Sequence, residues 1–315
     1  MCLCCPLSST WITITLQGDG RLMSKESFLQ MNTVFISILV EALPFVVLGV
    51  IISGVIQMFI TESMLAKIIP KNRFLSVIVT SVLGSLFPAC ECGIVPITRR
   101  LIGKGVPLHG ATSFMLTGPV INPVVIFSTY VAFGNNWTMV GYRCILSFIV
   151  ALFAGWIISL QFKDGQLRNE ATHHHHDHSL AFSKKFGDMV RHTLDEFFSV
   201  GKFFIIGALI AAAMQTFVKT STLLSLGDGP IISIIIMMGL AFVLSLCSSA
   251  DAFVASSFRS TFSNGSLVAF LVFGPMFDIK NMLVMLGTFK SKLVFFLLFY
   301  VTIFVFLGAL IISYL

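Results

Sequence analysis

Apolar residues run along this chain in long blocks, not in the short alternating patterns of water-soluble folds. Eight blocks stand out, at 33–60, 74–90, 106–133, 137–161, 197–218, 230–247, 266–287 and 292–315. A helix needs roughly 20 apolar residues to cross a bilayer. Lipid offers no water to exposed backbone groups, and helices satisfy their own. The pattern therefore predicts an all-α integral membrane protein with about eight transmembrane helices, in two groups of four. Between 90 and 105, and between 248 and 262, the apolar run weakens. Half-helices, re-entrant segments or loops are expected there.

The two groups repeat one another. Phe45, Gly49, Gln57 and Phe59 return as Phe203, Gly207, Gln215 and Phe217. Cys90 meets Cys247, and Phe114, Gly118 and Pro119 meet Phe270, Gly274 and Pro275. A period this long marks duplicated domains and not a solenoid. The expected organisation is an N-terminal extension at 1–22, a first transmembrane repeat at 23–161, a polar linker at 162–196 and a second repeat at 197–315. Residues 1–22 carry Cys2, Cys4 and Cys5 but no basic stretch of the signal-peptide kind, and Met23 reads as a natural start. Four spans per half would give both halves one orientation; five would invert them.

Composition agrees with a membrane setting. The chain has 315 residues, 56% hydrophobic and 11% charged, against roughly 25% charged in soluble domains. The net charge of +6 does not point to nucleic acid, because the basic residues sit between apolar blocks, as the positive-inside rule expects. With eight alternating spans, eleven basic residues fall on the side of the termini and six on the other. That bias places both termini in the cytoplasm.

Candidate chemistry concentrates where the apolar runs break. Cys90, Glu91 and Cys92 interrupt the second block, flanked by Pro88, Gly93 and Pro96. Thiols bind soft or borderline ions, and a carboxylate at membrane depth is costly unless it has a task. Two cysteines two apart point away from each other on a regular helix, so the prolines and glycine matter as breaks. A second break reads Gly118-Pro119-Val120-Ile121-Asn122-Pro123, beside Thr117. Its counterpart, Gly274-Pro275-Met276-Phe277-Asp278, places Asp278 where Asn122 stands. Paired polar side chains at matching breaks are candidates to line a central path. Asp251 and Glu41 are candidate proton carriers. The plain alternative in each case is tight helix packing, a proline kink or an interhelical hydrogen bond. The linker carries His173, His174, His175, His176 and His178, a metal-binding tract by composition.

The run from Phe87 to Ile126 resembles the bacterial predicted-permease family that includes organoarsenical efflux permeases. Cys90, Cys92, Gly93, Val95, Pro96, Gly118, Pro119, Asn122 and Pro123 carry the resemblance. Within that family the chain is similar to the branch described as one subunit of a two-component permease complex. The resemblance implies a multi-pass permease in a bacterial plasma membrane, with a second membrane subunit as partner. Glu91 departs from the small polar residue associated with the arsenical branch.

The leading expectation is a permease for a small thiophilic solute or a divalent, zinc-like metal ion. Export of a trivalent organoarsenical is the alternative within that class. A non-transporting scaffold or metal sensor, acting through the histidine tract, is the alternative outside it. No nucleotide-binding or hydrolase motif is present. No cofactor is expected, and no histidine in a span neighbours Cys90 as a base, so an enzyme is not.

Overall fold

The structure is a computed structural model, and it describes residues 25–59, 64–65, 68–70, 72–87, 90–162, 165–168, 182–217 and 229–315. Residues 1–22, Pro88 and the histidines at 173–176 and 178 lie outside the described residues. The described part is helical, with one isolated bridge between Leu167 and Phe289. The protein is an all-α membrane protein.

In residues 25–161 the helices are α1 (Lys25–Phe59), α2 (Arg73–Leu86), α3 (Glu91–Gly103), α4 (Leu108–Thr117), α5 (Pro123–Ala132) and α6 (Trp137–Gln161). Residues 182–314 follow with α7 (Phe182–Phe217), α8 (Pro230–Leu244), α9 (Ser248–Ser257), α10 (Asn264–Met276), α11 (Ile279–Thr288) and α12 (Ser291–Tyr314). Both series run long, short, short, short, short, long. Local chemistry sets several starts. Asn72 and Asn136 accept the N–H groups of Phe74 and Thr138, satisfying donors that a helix start leaves free. Pro123 and Pro230 open α5 and α8, where a missing N–H costs nothing.

Five stretches are long and apolar enough to cross a membrane: 26–56, 137–161, 193–217, 264–288 and 291–314. The other apolar helices, α2, α5 and α8, are shorter. The expected span at 266–287 is two helices, α10 and α11, parted at Phe277 and Asp278. The block at 106–133 is likewise split into α4 and α5.

Contacts give the direction of each helix. Leu65 and Ile69, ahead of α2, pack with Leu101, Ile102 and Val106, where α3 ends. Both ends of the α2–α3 pair therefore lie on one face. Ser76 near the start of α2 meets Gly110 near the start of α4, and Gly84 near its end meets Phe114. Ile94, at the start of α3, meets Gly118, just past the end of α4. So α2 runs inward, α3 returns, and the pair is a re-entrant hairpin with its tip at Cys90. Arg73 donates to the Ser159 carbonyl at 3.1 Å, and Lys290 to that of Gly165 at 2.7 Å. The end of α6, the linker and the α11–α12 junction thus share this face, here called the linker face.

The opposite face, here the terminal face, holds the end of α12, where Ser313 meets Ser263 at 3.3 Å. Arg259, after α9, reaches the Phe133 carbonyl there at 3.5 Å. The α8–α9 pair enters from this face, and its tip lies against Gly274, which faces Ala241 and Asp251. The long helices α6 and α12 cross antiparallel: Leu146 meets Gly308, Phe153 stacks on Phe304, and Gln161 accepts from Tyr300. With the split pair α4–α5 counted as a crossing beside the five long stretches, each half contains three crossings and one re-entrant hairpin. Three is odd, so the halves are oppositely oriented, the inverted arrangement that the sequence left open.

This connectivity revises the expected topology. Among the residues whose side chains are described, the linker face carries Arg73, Arg99, Arg100, Lys104, Arg168, Lys290 and Lys292. The terminal face carries Arg259. Arg143, Lys202 and Lys280 lie within helices and are not counted. The positive-inside rule now puts the linker face in the cytoplasm and the start of α1 and the end of α12 on the outer side, the reverse of the eight-span expectation. The hairpins cause the change, because a segment that returns to its own face does not move the following loop across. A reporter that is active only outside the cytoplasm, such as alkaline phosphatase, should be active when fused after Leu315 and inactive within the 162–181 linker. The reverse pattern would refute this orientation.

Candidate functional site

The tips of the two hairpins meet in the centre of the molecule. Cys90 stands in extended conformation (φ −82°, ψ 170°) as the residue before α3, and Cys247 does the same before α9 (φ −73°, ψ 144°). Neither caps its helix with its side chain. The break that the C-x-C spacing requires thus falls at Cys90, and Cys92 lies one turn-start further on. Ser245, the last residue of α8's turn, has φ 47°, a left-handed conformation that a non-glycine residue adopts at some cost. Its hydroxyl accepts the N–H of Ile279 at 3.1 Å, which ties the α8–α9 tip to α11.

Equivalent positions face each other here. Glu91 and Ser248 are the first residues of α3 and α9. Both are buried, and the Ser248 hydroxyl donates to Glu91 Oε2 at 3.0 Å. Arg143 of α6 closes the other side. It is 1% exposed, donates to the Ser248 carbonyl at 3.0 Å and to the Thr129 hydroxyl at 2.7 Å. One guanidinium therefore joins α5, α6 and α9. A planar fork of donors suits this role better than a lysine would.

A cavity of about 150 Å³ opens beside the tips. Cys90, Glu91 and Cys92 line it from the first tip, and Ser245 and Cys247 from the second. Glu41 of α1, Gln215 of α7 and Lys280 of α11 complete its polar wall. Gln215 also donates to the Leu244 carbonyl, satisfying a group at the end of α8. Lys280 is 4% exposed and pairs with Asp278 at 3.6 Å. The four described cysteines outside the N-terminal segment are free thiols. Among the described residues no three His, Cys, Asp or Glu side chains are arranged to hold one metal ion.

The expected site residues thus divide. Cys90, Glu91 and Cys92 face the cavity. Thr117, Asn122, Asp251 and Asp278 do not line it. Thr117 donates to the Ser113 carbonyl at 2.9 Å and packs on Gly84. Asn122 and Asp278 perform one task in both halves, accepting the N–H of Val124 at 2.9 Å and of Asn281 at 2.6 Å as helix caps. Asp251 is buried beside Gly274, and its Oδ2 has no hydrogen-bond partner. Arg143, Ser248 and Lys280 were not among the expected site residues. A charge inside an apolar run was the available signal for Arg143 and Lys280. Ser248 carried none.

An inverted helical bundle with two re-entrant tips meeting over a thiol-lined cavity defines a membrane-transporter class of architecture. The chain belongs to the family described as "Predicted permease", which it matches over residues 27–314. It is 60% identical over 291 residues to UPF0718 protein YcgR of Bacillus subtilis, covering 92% of this chain and 99% of that protein. It is 43% identical over 271 residues to a Streptococcus mutans protein named "Putative two-component membrane permease complex subunit", covering 85% of this chain and 90% of that one. A more distant relative is UPF0718 protein MJ0584 of Methanocaldococcus jannaschii, 26% identical over 134 residues, 42% of this chain and 36% of that protein. No solved structure matches.

Arg143→Met should destabilise the detergent-solubilised protein. It removes the charged donor from the Ser248 carbonyl and from the Thr129 hydroxyl, which keeps its bond to the Val125 carbonyl at 2.7 Å; hydrogen bonds to a charged group contribute about 1.5–3 kcal/mol each. Thermal unfolding by fluorescence-detected size exclusion should show a drop of several degrees, smaller for Arg143→Lys. An unchanged melting temperature for Arg143→Met would refute the bridging role.

Proposed function

We propose that this protein is a permease that moves a small thiophilic solute or a divalent, zinc-like metal ion across the plasma membrane, through the interface of its two repeats. The repeats are taken as 23–161 and 197–315. The observation that carries this reading is the single cavity faced by Cys90, Cys92 and Cys247, with Glu91 and Glu41 beside them. Thiols and carboxylates together suit borderline ions such as zinc. Their dispersed placement fits a carrier, which must bind loosely enough to release.

Each residue then has a task. Cys90 and Cys92 receive the cargo, and Cys247 presents a third thiol from the opposite tip. Glu91 is the carboxylate at the meeting point, and with Asp251 it is the candidate for proton exchange with the cargo. Asn122 and Asp278 fix the starts of α5 and α11 beside the path. The histidine tract at 173–178 would collect metal. The name of the Streptococcus mutans relative supports a second membrane subunit as partner.

Elemental mass spectrometry of cells grown in graded zinc tests this reading. Overproduction should change cellular zinc at least twofold, and a Cys90→Ser, Cys92→Ser double mutant present at equal level in the membrane should abolish the change. Full transport by the double mutant would refute the thiol role. A response to trivalent organoarsenicals in place of zinc would move the cargo to that class.

A further inference from the structure

The two halves contain the same helices but pack them differently. In the first half, α1 rests on α3. Gly49 approaches Gly93 so closely that a Cβ on Gly49 would stand 2.6 Å from the Gly93 Cα. Phe45 joins this contact, its carbonyl lying 3.0 Å from where a Cβ on Gly93 would be. In the second half, Gly207 is the counterpart of Gly49, yet it does not rest on α9. It rests on α11, where its Cβ would stand 3.0 Å from the Lys280 Cα. Phe203, the counterpart of Phe45, lies against Gly287 of the same helix. Among the described helices, α1 has no comparable packing on α5, nor α7 on α9.

The exchange of partners has a consequence for the cavity. Because α7 holds α11 inward, Lys280 is buried and faces Cys90, Glu91 and Cys92. Its counterpart on α5 is Val124, which is 63% exposed. Of the α1 residues that line the cavity, Val34, Ser37, Ile38 and Glu41 belong to the half of α1 nearer the terminal face, and Gln215 stands near the end of α7 on the same side. The cavity therefore lies on the terminal side of the first tip. Inverted repeats that adopt unequal packings imply a second state in which the packings are traded, with the cavity on the other face.

We propose that the protein alternates between this packing and its exchanged counterpart, in which α7 rests on α9 through Gly207 and Ala250, α1 rests on α5 through Gly49 and Val124, and Lys280 leaves the cavity. The proposal rests on the permease reading for what the exchange accomplishes, namely moving access from the terminal face to the linker face. Glycine at 49 and 207 fits both states, since each must meet backbone in one packing and a small or branched side chain in the other. Lys280 becomes a positioning residue. It lines the cavity in the described packing, and Asp278, which caps the same helix, accompanies it outward. A cationic cargo and the Lys280 ammonium then occupy the same wall at different stages, because like charges in a small buried space repel.

Paired cysteines in the full-length chain, with native cysteines replaced and the protein in membrane vesicles, test the exchange. Phe203→Cys with Gly287→Cys reports the packing described; the lost ring makes room for the new side chain. Phe203→Cys with Ala250→Cys reports the exchanged packing. With a short bis-maleimide, each pair should shift most of the chain on a gel after exhaustive reaction. Formation of the 203–287 crosslink without the 203–250 crosslink refutes the exchange, and failure of both refutes the starting packing. The gel shift needs no cargo. A cell with no zinc response but both crosslinks overturns the cargo and keeps the exchange, whereas zinc transport without the 203–250 crosslink overturns the exchange alone.

Discussion

Everything in this molecule is arranged around backbone that stops being helical inside a membrane. Where α2 ends and α3 begins, and where α8 ends and α9 begins, polar backbone groups lose their helical partners at a depth where water is scarce. The fold answers by pushing the two breaks together. The side chains of the two first residues join, the Ser248 hydroxyl donating to the Glu91 carboxylate, and the Ser248 backbone carbonyl accepts from Arg143. Gln215 takes the Leu244 carbonyl at the second break, and Ser245 takes the Ile279 N–H at the start of α11. A charge-assisted hydrogen bond out of water is stronger than one in water, so the tips are held where an isolated hairpin would not stay. The remaining helices serve to enclose this contact.

The same contact explains why the polar residues of the core are so unequal in visibility. Cys90, Glu91 and Cys92 stand out in the sequence because they interrupt an apolar block. Their partner Ser248 does not, since a serine in a run of small residues has many ordinary explanations. Asn122 and Asp278 were visible as polar residues at matching breaks, but the sequence did not distinguish a path-lining side chain from a helix cap. Each directly precedes a helix start, which is the cap signature, and the structure shows the cap. Arg143 reads as a stray charge in the α6 block until Thr129 and Ser248 are brought to it from 14 residues behind and 105 residues ahead.

The helical class and the eight apolar blocks were legible because block length and backbone satisfaction in lipid leave few alternatives. The direction of the blocks was not. A 14-residue apolar helix such as α2 has the composition of a span and the length of half of one. Only the meeting of Ile69 with Val106 shows that the chain returns to the face it left. One such hairpin per half changes the parity of crossings, which inverts the second half and moves Arg73 to the same side as Arg99, Arg100 and Lys104. Topology here follows from long-range packing, and a count of hydrophobic windows does not contain it.

The inequality between the halves follows from the same geometry. Only one of the two hairpins is clamped by the first helix of its own half. In the described packing α1 clamps the first hairpin at Gly93, while α7 is drawn away to α11 and the second tip is left to Ser245 and Gln215. The cavity occupies the space so created, and Lys280 enters it because α11 has followed α7 inward. Its ammonium pairs with Asp278 and lines the same cavity as Glu91, so the Glu91 carboxyl does not stand at membrane depth without a cation nearby. A cargo cation that took the place of Lys280 would preserve that balance. A neutral cargo would have to enter with Lys280 still in place, which ties the charge of the cargo to the position of α11.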